Sequence, residues 1–334
     1  MKKFKIMMQV GLAVFFFALL ATSTVLADDA YSEGWQFVQE NGRTYYKKGE
    51  LKETYWRVID GKTYYFDHVS GEMVVGWQYI PFPSKGSTIG PYPNGLRLEY
   101  MPMPKWYYFG QDGVLQEFVG KQVLEAKTAT NTNKHHGEQY DSPAEKRVYY
   151  FEDQRSYHTL KTGWIYDEGH WYYLQKSGGF DARINSLTVG ELVRGWTNDN
   201  STWYYLDPET GIMQTGWKQL GNKWYYLRSS GAMATGWYQE GSTWYYLDEP
   251  NGDMKTGWQY LGNKWYYLRS SGSMATGWYQ EGSTWYYLHA SNGDMKTGWF
   301  QVNGKWYYAY SSGALAVNTT VEGYSVNYNG EWVQ

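Results

Sequence analysis

From residue 195 onward, aromatic and polar positions alternate residue by residue in runs of about five, and glycines end each run. Gly216 to Leu220, the dipeptide Gly221-Asn222 and Lys223 to Leu227 make one such unit. Strict alternation in Trp, Tyr and Thr predicts short half-buried strands. The dipeptides Gly221-Asn222, Gly241-Ser242, Gly262-Asn263 and Gly282-Ser283 predict tight turns between them, so each unit is expected to be a β-hairpin. Along a strand, Trp224 and Tyr226 point to one side and Tyr225 to the other. A lone two-stranded hairpin is barely stable in water. Stacking on its neighbours buries what it cannot bury alone, so the predicted fold is an all-β solenoid.

The repeat is regular enough to measure. Gly-Trp occurs at 195–196, 216–217, 236–237, 257–258, 277–278 and 298–299, in steps of 21, 20, 21, 20 and 21, so the true period is a pair of units totalling 41 residues. Seven residues after each of these tryptophans, Trp203, Trp224, Trp244, Trp265, Trp285 and Trp306 each open a Trp-Tyr-Tyr triplet. Met213, Met233, Met254, Met274 and Met295 lie between successive units. A fixed period of this length is the signature of a stacked repeat.

Composition narrows the chemistry. The 334 residues include 36 Tyr, 19 Trp and 12 Phe, no Cys, and a formal charge of −3. Disulfides, thiolate nucleophiles and Cys-ligated metals are excluded, and so is general binding to nucleic acid, which needs a basic surface. Residues 1–27 read as a secretory signal: Lys2, Lys3 and Lys5, an apolar run from Val10 to Leu20, then Val25-Leu26-Ala27 before Asp28. Its removal leaves 27 basic against 33 acidic residues and no expected membrane span.

Two tryptophans seven residues apart on opposite strands stand as walls of a shallow box. A tyrosine from the next hairpin adds a third side and a methionine the floor. Regular packing alone also explains the alternation. With no charged side chain fixed in the repeat, such a box suits a soft cation without hydrogen-bond donors, and a quaternary ammonium fits. Carbohydrate is the competing ligand. The residues after each Gly-Trp vary (Lys218, Tyr238, Gln259, Tyr279, Phe300), which argues against a sugar site with its fixed polar readers.

Gly-Trp, a Trp-Tyr-Tyr-Leu seven residues on, and Ser230 to Trp237 together resemble the choline-binding repeat of pneumococcal-type surface proteins, and the whole chain resembles the repeat-only members. The resemblance implies a left-handed superhelix of hairpins that binds choline, carried as phosphocholine on teichoic and lipoteichoic acids. Its ligand site takes both tryptophans, the methionine and the second tyrosine of the next triplet. Carried over, this gives five sites. They are Trp196, Trp203, Met213 and Tyr226; Trp217, Trp224, Met233 and Tyr246; Trp237, Trp244, Met254 and Tyr267; Trp258, Trp265, Met274 and Tyr287; and Trp278, Trp285, Met295 and Tyr308. Trp299 and Trp306 begin a sixth, but Leu315 replaces Met and no later triplet closes it, so that unit is expected to be a cap covered by Tyr324, Tyr328 and Trp332.

The regular repeats are expected to span 191–334 and a divergent set 28–190. In the divergent set Thr63 and Val148 stand where the second tryptophan belongs. Trp77, Trp106, Leu115 and Tyr150 outline a modified site across a proline-rich insert at about 78–105. Trp164 and Trp171 are correctly spaced, with Phe180 or nothing in place of Met. A second insert, 116–147, is expected to be a surface loop with a short helix at 114–126.

No catalytic constellation is found. His135-His136-Gly137-Glu138 lacks the spacing of a zinc motif, and Asp248 to Asp253 lacks the glutamate of a calcium loop, so no metal or cofactor is expected. No repeat-free stretch is long enough for a catalytic domain with its own core. The expected protein is therefore a non-enzyme, secreted and held non-covalently on the bacterial cell wall. It either regulates choline-anchored wall hydrolases or acts as an adhesin whose amino half meets host molecules.

Overall fold

The computed structural model describes residues 34–81, 104–127, 146–153, 158–176 and 189–334. The signal at 1–27, most of the proline-rich insert, the run Thr128 to Asn133, the histidines at 135 and 136, and Phe180 lie outside the described residues. Every described element is a strand, and the described strands form hairpins or three-stranded sheets that share no ladder with one another. The chain forms two compact units, Met1–Gln116 and Glu117–Gln334. The hairpins at Gly120–Glu125/Lys146–Phe151 and Gly163–Asp167/His170–Leu174 thus belong with the regular ones despite their divergent sequence.

The helix expected over 114–126 is not there. Gly120–Glu125 is a strand with alternating burial, paired to Lys146–Phe151. The insert therefore includes one strand of a hairpin, and period-two alternation (Lys121, Val123 and Glu125 exposed) outweighed the helical propensity of the segment.

Within the second unit the hairpins follow one pattern. Trp217 faces Tyr226 across its hairpin and Gln219 faces Trp224, so both indoles and the second tyrosine share one side, while Tyr225 lies on the other. Gly262 and Asn263 both have positive φ (55° and 62°), the conformation of a turn whose twist matches the strands it joins.

Successive hairpins are stitched together by the connectors. The Met254 N–H donates to the Trp224 carbonyl of the preceding hairpin (2.7 Å), and the Lys255 N–H donates to Tyr246 of its own (2.8 Å). The same pair of bonds recurs at Met213, Met233, Met274, Met295 and Leu315. Each methionine side chain then lies beneath a glycine of the next connector: a Cβ on Gly272 would enter the Met254 sulfur, and the pattern holds for the other connectors. The core at the stitching is aliphatic. Leu206, Leu227, Leu247, Leu268 and Leu288, the last residues of the Trp-Tyr-Tyr-Leu runs, are completely buried.

Candidate functional site: perpendicular indole pairs

The fully buried leucines leave the tryptophans free of that task. Trp203, Trp224, Trp265 and Trp285 remain 40–44 % exposed. In four of the five corners the second indole stands nearly perpendicular to the Gly-Trp indole of its own hairpin. Ring centroids are 6.4 Å apart for Trp196–Trp203, 6.3 Å for Trp237–Trp244, 6.5 Å for Trp258–Trp265 and 6.4 Å for Trp278–Trp285, with interplanar angles of 82–86°. Two perpendicular faces, one half open to solvent, make an outward-facing corner.

The Gly-Trp indole is the fixed wall. Trp258 lies 5.2 Å from Tyr267 of its own hairpin and 4.9 Å from Tyr286 of the next. Trp196, Trp217, Trp237 and Trp278 repeat both contacts, with Tyr225, Tyr245, Tyr266 and Tyr307 as the inter-hairpin partners. The tyrosine that packs edge-on against each Gly-Trp indole from the next hairpin is thus the first of its triplet. The second, carried over as the third wall (Tyr226, Tyr246, Tyr267, Tyr287 and Tyr308), packs on its own hairpin's Gly-Trp indole at 5.0–5.2 Å. Each of Met213, Met233, Met254, Met274 and Met295 bridges the leucine closing the corner's own hairpin and extends beneath the next connector.

The variable residue after Gly-Trp has a structural explanation. Tyr238 stacks on Tyr226 and Tyr279 on Tyr267, both at 3.9 Å, and Phe300 stacks on Tyr287 at 5.2 Å. Burial, followed by a hydrogen bond with the stacked partner, raises the pKa of Tyr238 and Tyr279 and so suppresses their ionisation. At Tyr238, Tyr279 and Phe300 this position packs between hairpins.

One expectation needs correction. The box was expected to lack a fixed carboxylate, yet Trp217 Nε1 donates to Glu240 (3.1 Å), Trp258 to Glu281 (3.1 Å) and Trp299 to Glu322 (3.0 Å). The three glutamates are 41 residues apart, the double-unit period itself. Glu240 and Glu281 close the first strand of the next hairpin, and Glu322 sits in the turn of the terminal sheet. Trp196, Trp237 and Trp278 have Leu220, Leu261 and Val302 at the corresponding position, so two kinds of corner alternate. A carboxylate on the indole N–H enriches the ring and adds negative charge, and both favour a cation.

The divergent corners differ among themselves. Trp77 and Trp106 keep the perpendicular geometry (6.4 Å, 83°), and Leu115 bridges Phe109 in the methionine position. Both indoles are buried, however, at 0 % and 5 % exposure, so this pair presents no open face; Tyr150 belongs to the other unit. Trp164 donates to Asp199 (3.0 Å), and Lys176 bonds the same carboxylate (2.7 Å) and holds its pKa below the usual range. The residue bridging Leu174 in the methionine position is Leu192. At 248–255 the outlined calcium loop is a turn whose Asp248 and Asp253 carboxylates both face Lys255 (3.1 and 3.3 Å).

Two repeat models match this chain. A choline-binding repeat covers residues 214–256 and 255–300, and a putative cell wall binding repeat covers 104–115, 162–180, 195–213 and 297–315. The structure of CbpJ from Streptococcus pneumoniae TIGR4 is 73 % identical, with 90 % of this chain and 100 % of that chain covered and a TM-score of 0.80. The chain belongs to the choline-binding protein family. Choline binding protein F from Streptococcus pneumoniae is 62 % identical, with 90 % of this chain and 99 % of that chain covered and a TM-score of 0.78. CbpF in complex with ipratropium matches at 60 % identity over 90 % and 99 % of the two chains, with a TM-score of 0.75. A comparison with curated proteins gave no match. The chain is accordingly a choline-binding cell-surface protein.

Proposed function

We propose that this choline-binding protein is a non-catalytic wall protein whose five regular corners grip phosphocholine on teichoic and lipoteichoic acids. Bound there, it modulates choline-anchored wall hydrolases. The observation that carries the reading is the recurrence of one perpendicular indole pair, half open to solvent, along the second unit. A trimethylated nitrogen placed in such a corner meets ring faces and loses no hydrogen bond on leaving water. The same chemistry is present in ipratropium, whose nitrogen is quaternary and which a 60 % identical relative binds.

Ring faces at about 1–2 kcal/mol each give at best roughly millimolar affinity once ordering costs are counted. A polymer bearing many cholines raises the avidity of several such corners by about 10²–10⁴. Competition for wall choline follows directly, because a hydrolase anchored by similar repeats needs the same groups. A wall-lysis assay tests this. Added full-length protein should slow lysis by a choline-anchored hydrolase, and free choline should abolish both anchoring and the effect. Unchanged lysis at saturating protein would remove the regulatory role and favour the adhesin reading, in which the divergent half meets host molecules.

A further inference from the structure

We infer that the carboxy-terminal cap completes a sixth trimethylammonium site rather than sealing the end of the repeat array. The inference rests on the choline-binding reading of the five regular corners. The terminal three-stranded sheet, Thr319–Val321, Tyr324–Val326 and Trp332–Val333, follows the Trp299 hairpin. Between them lies a pocket of about 310 Å³ lined by Trp299, Trp306, Tyr324 and Trp332. Tyr324 stands edge-on to Trp299 at 5.6 Å and 85°, and Trp332 stands edge-on to Tyr324 at 6.2 Å and 79°.

Two of these four rings, Tyr324 and Trp332, do not follow the repeat. Leu315 stands where the other corners have methionine, and no Trp-Tyr-Tyr triplet comes after it. The missing walls are supplied instead by an unrelated fold element. Tyr328, expected to help cover the end, is 74 % exposed and is not among the lining residues.

The lining selects the ligand. The four lining residues include no carboxylate or amide side chain of the kind that reads sugar hydroxyls. Anions are disfavoured by the Glu322 carboxylate, which accepts the Trp299 indole N–H at 3.0 Å. The nearby Glu331 is engaged by Lys305 (2.6 Å), so Glu322 sets the local charge. Ring faces, one carboxylate at the edge, and a volume at the lower end of small-molecule sites fit a methylated ammonium head group. Trp306, Tyr324 and Trp332 keep 43 %, 52 % and 36 % of their surface exposed, so the head group has an open path from solvent.

Equilibrium dialysis of the full chain with labelled choline chloride tests the site. Trp332→Ala removes a side chain two residues from the carboxy end and should lower the saturating number of cholines by one, with the melting curve checked in parallel. Glu322→Gln keeps an acceptor for the indole and should leave the number unchanged while weakening one site about threefold at low salt. Equal stoichiometry in wild type and Trp332→Ala, with both folded, overturns the terminal site and leaves the five corners standing. A wild-type protein that takes up no choline overturns the functional reading as a whole. If Trp332→Ala unfolds, the Glu322→Gln titration decides: no weakening at any site counts against the terminal pocket.

Discussion

The two tryptophans of a corner play different parts, and the difference was not legible in the sequence, where each is a repeated Trp seven residues from the other. Trp258 touches Trp265, Tyr267, Tyr279 and Tyr286 and donates to Glu281. Trp265 is 42 % exposed and has few such ties. Trp265→Ala should therefore remove one choline per molecule with little change in melting temperature. Trp258→Ala should lose the same choline and also about 2–4 kcal/mol of stability, because it opens a cavity between hairpins. Dialysis and denaturant titration of both variants separate binding wall from packing wall; equal destabilisation by the two would contradict the assignment. The glutamates at 240, 281 and 322 were readable in principle, since they keep the 41-residue period. What hid them is that each acts on the preceding hairpin, a contact that exists only after stacking.

A second residue sets a pH dependence. Lys127 is completely buried, donates to the Val189 carbonyl (2.7 Å) and lies 4.3 Å over the Tyr149 ring. Burial pulls its pKa from an ordinary 10.5 down to about 7, with Glu191 acting the other way. Between those values the unfolded chain binds more protons than the folded one, so stability should rise with pH from about 7 towards 10. Above 10 the buried tyrosines reverse the trend: burial raises the Tyr149 and Tyr65 pKa values, and their contribution is lost as the unfolded phenols ionise. Melting temperatures at pH 7 and pH 9 should differ less in Lys127→Met than in wild type. An identical difference in the two proteins would contradict the role given to Lys127.

At the scale of the element, hairpins, register and turn positions followed from alternation and glycine spacing, because both signals are local. The strand at Gly120–Glu125 escaped because its partner lies across a long loop, so no tight-turn dipeptide announced it. The connector stacking escaped too. Gly272 has a φ of 81° and no room for a Cβ beside the Met254 sulfur, whereas Gly262, with a φ of 55°, faces open space. Gly272→Ala should accordingly cost about 2–4 kcal/mol, from backbone strain plus forced repacking. Gly262→Ala should cost only about 1 kcal/mol, from the backbone alone. Chemical denaturation of the pair checks the ordering. Equal losses would mean that the methionine–glycine contact does not hold the units together.

For the whole molecule, the arrangement joins weak sites to a strong attachment. Leucines and stacked connectors hold the second unit together, so the exposed indoles can serve a ligand without the fold depending on it. The divergent hairpins keep the same backbone plan, yet at Trp77 and Trp106 the rings have become core. Choline held only by stacked hairpins should raise the melting temperature as its concentration rises, each site held at a hundred times its dissociation constant adding about 2.7 kcal/mol of stability. Glucose at equal concentration should leave the melting temperature unchanged, and a shift with glucose would favour the carbohydrate alternative. The aromatic period carried the binding chemistry into the sequence. What it did not carry is which units are open to solvent, since that depends on neighbours distant in the chain.

The most direct measurement is a crystal structure of the protein soaked in choline. The account predicts a trimethylammonium group seated against each of the pairs Trp196–Trp203, Trp217–Trp224, Trp237–Trp244, Trp258–Trp265 and Trp278–Trp285, and none against Trp77–Trp106. Corners holding only water, at a choline concentration that releases the protein from the wall, would contradict it.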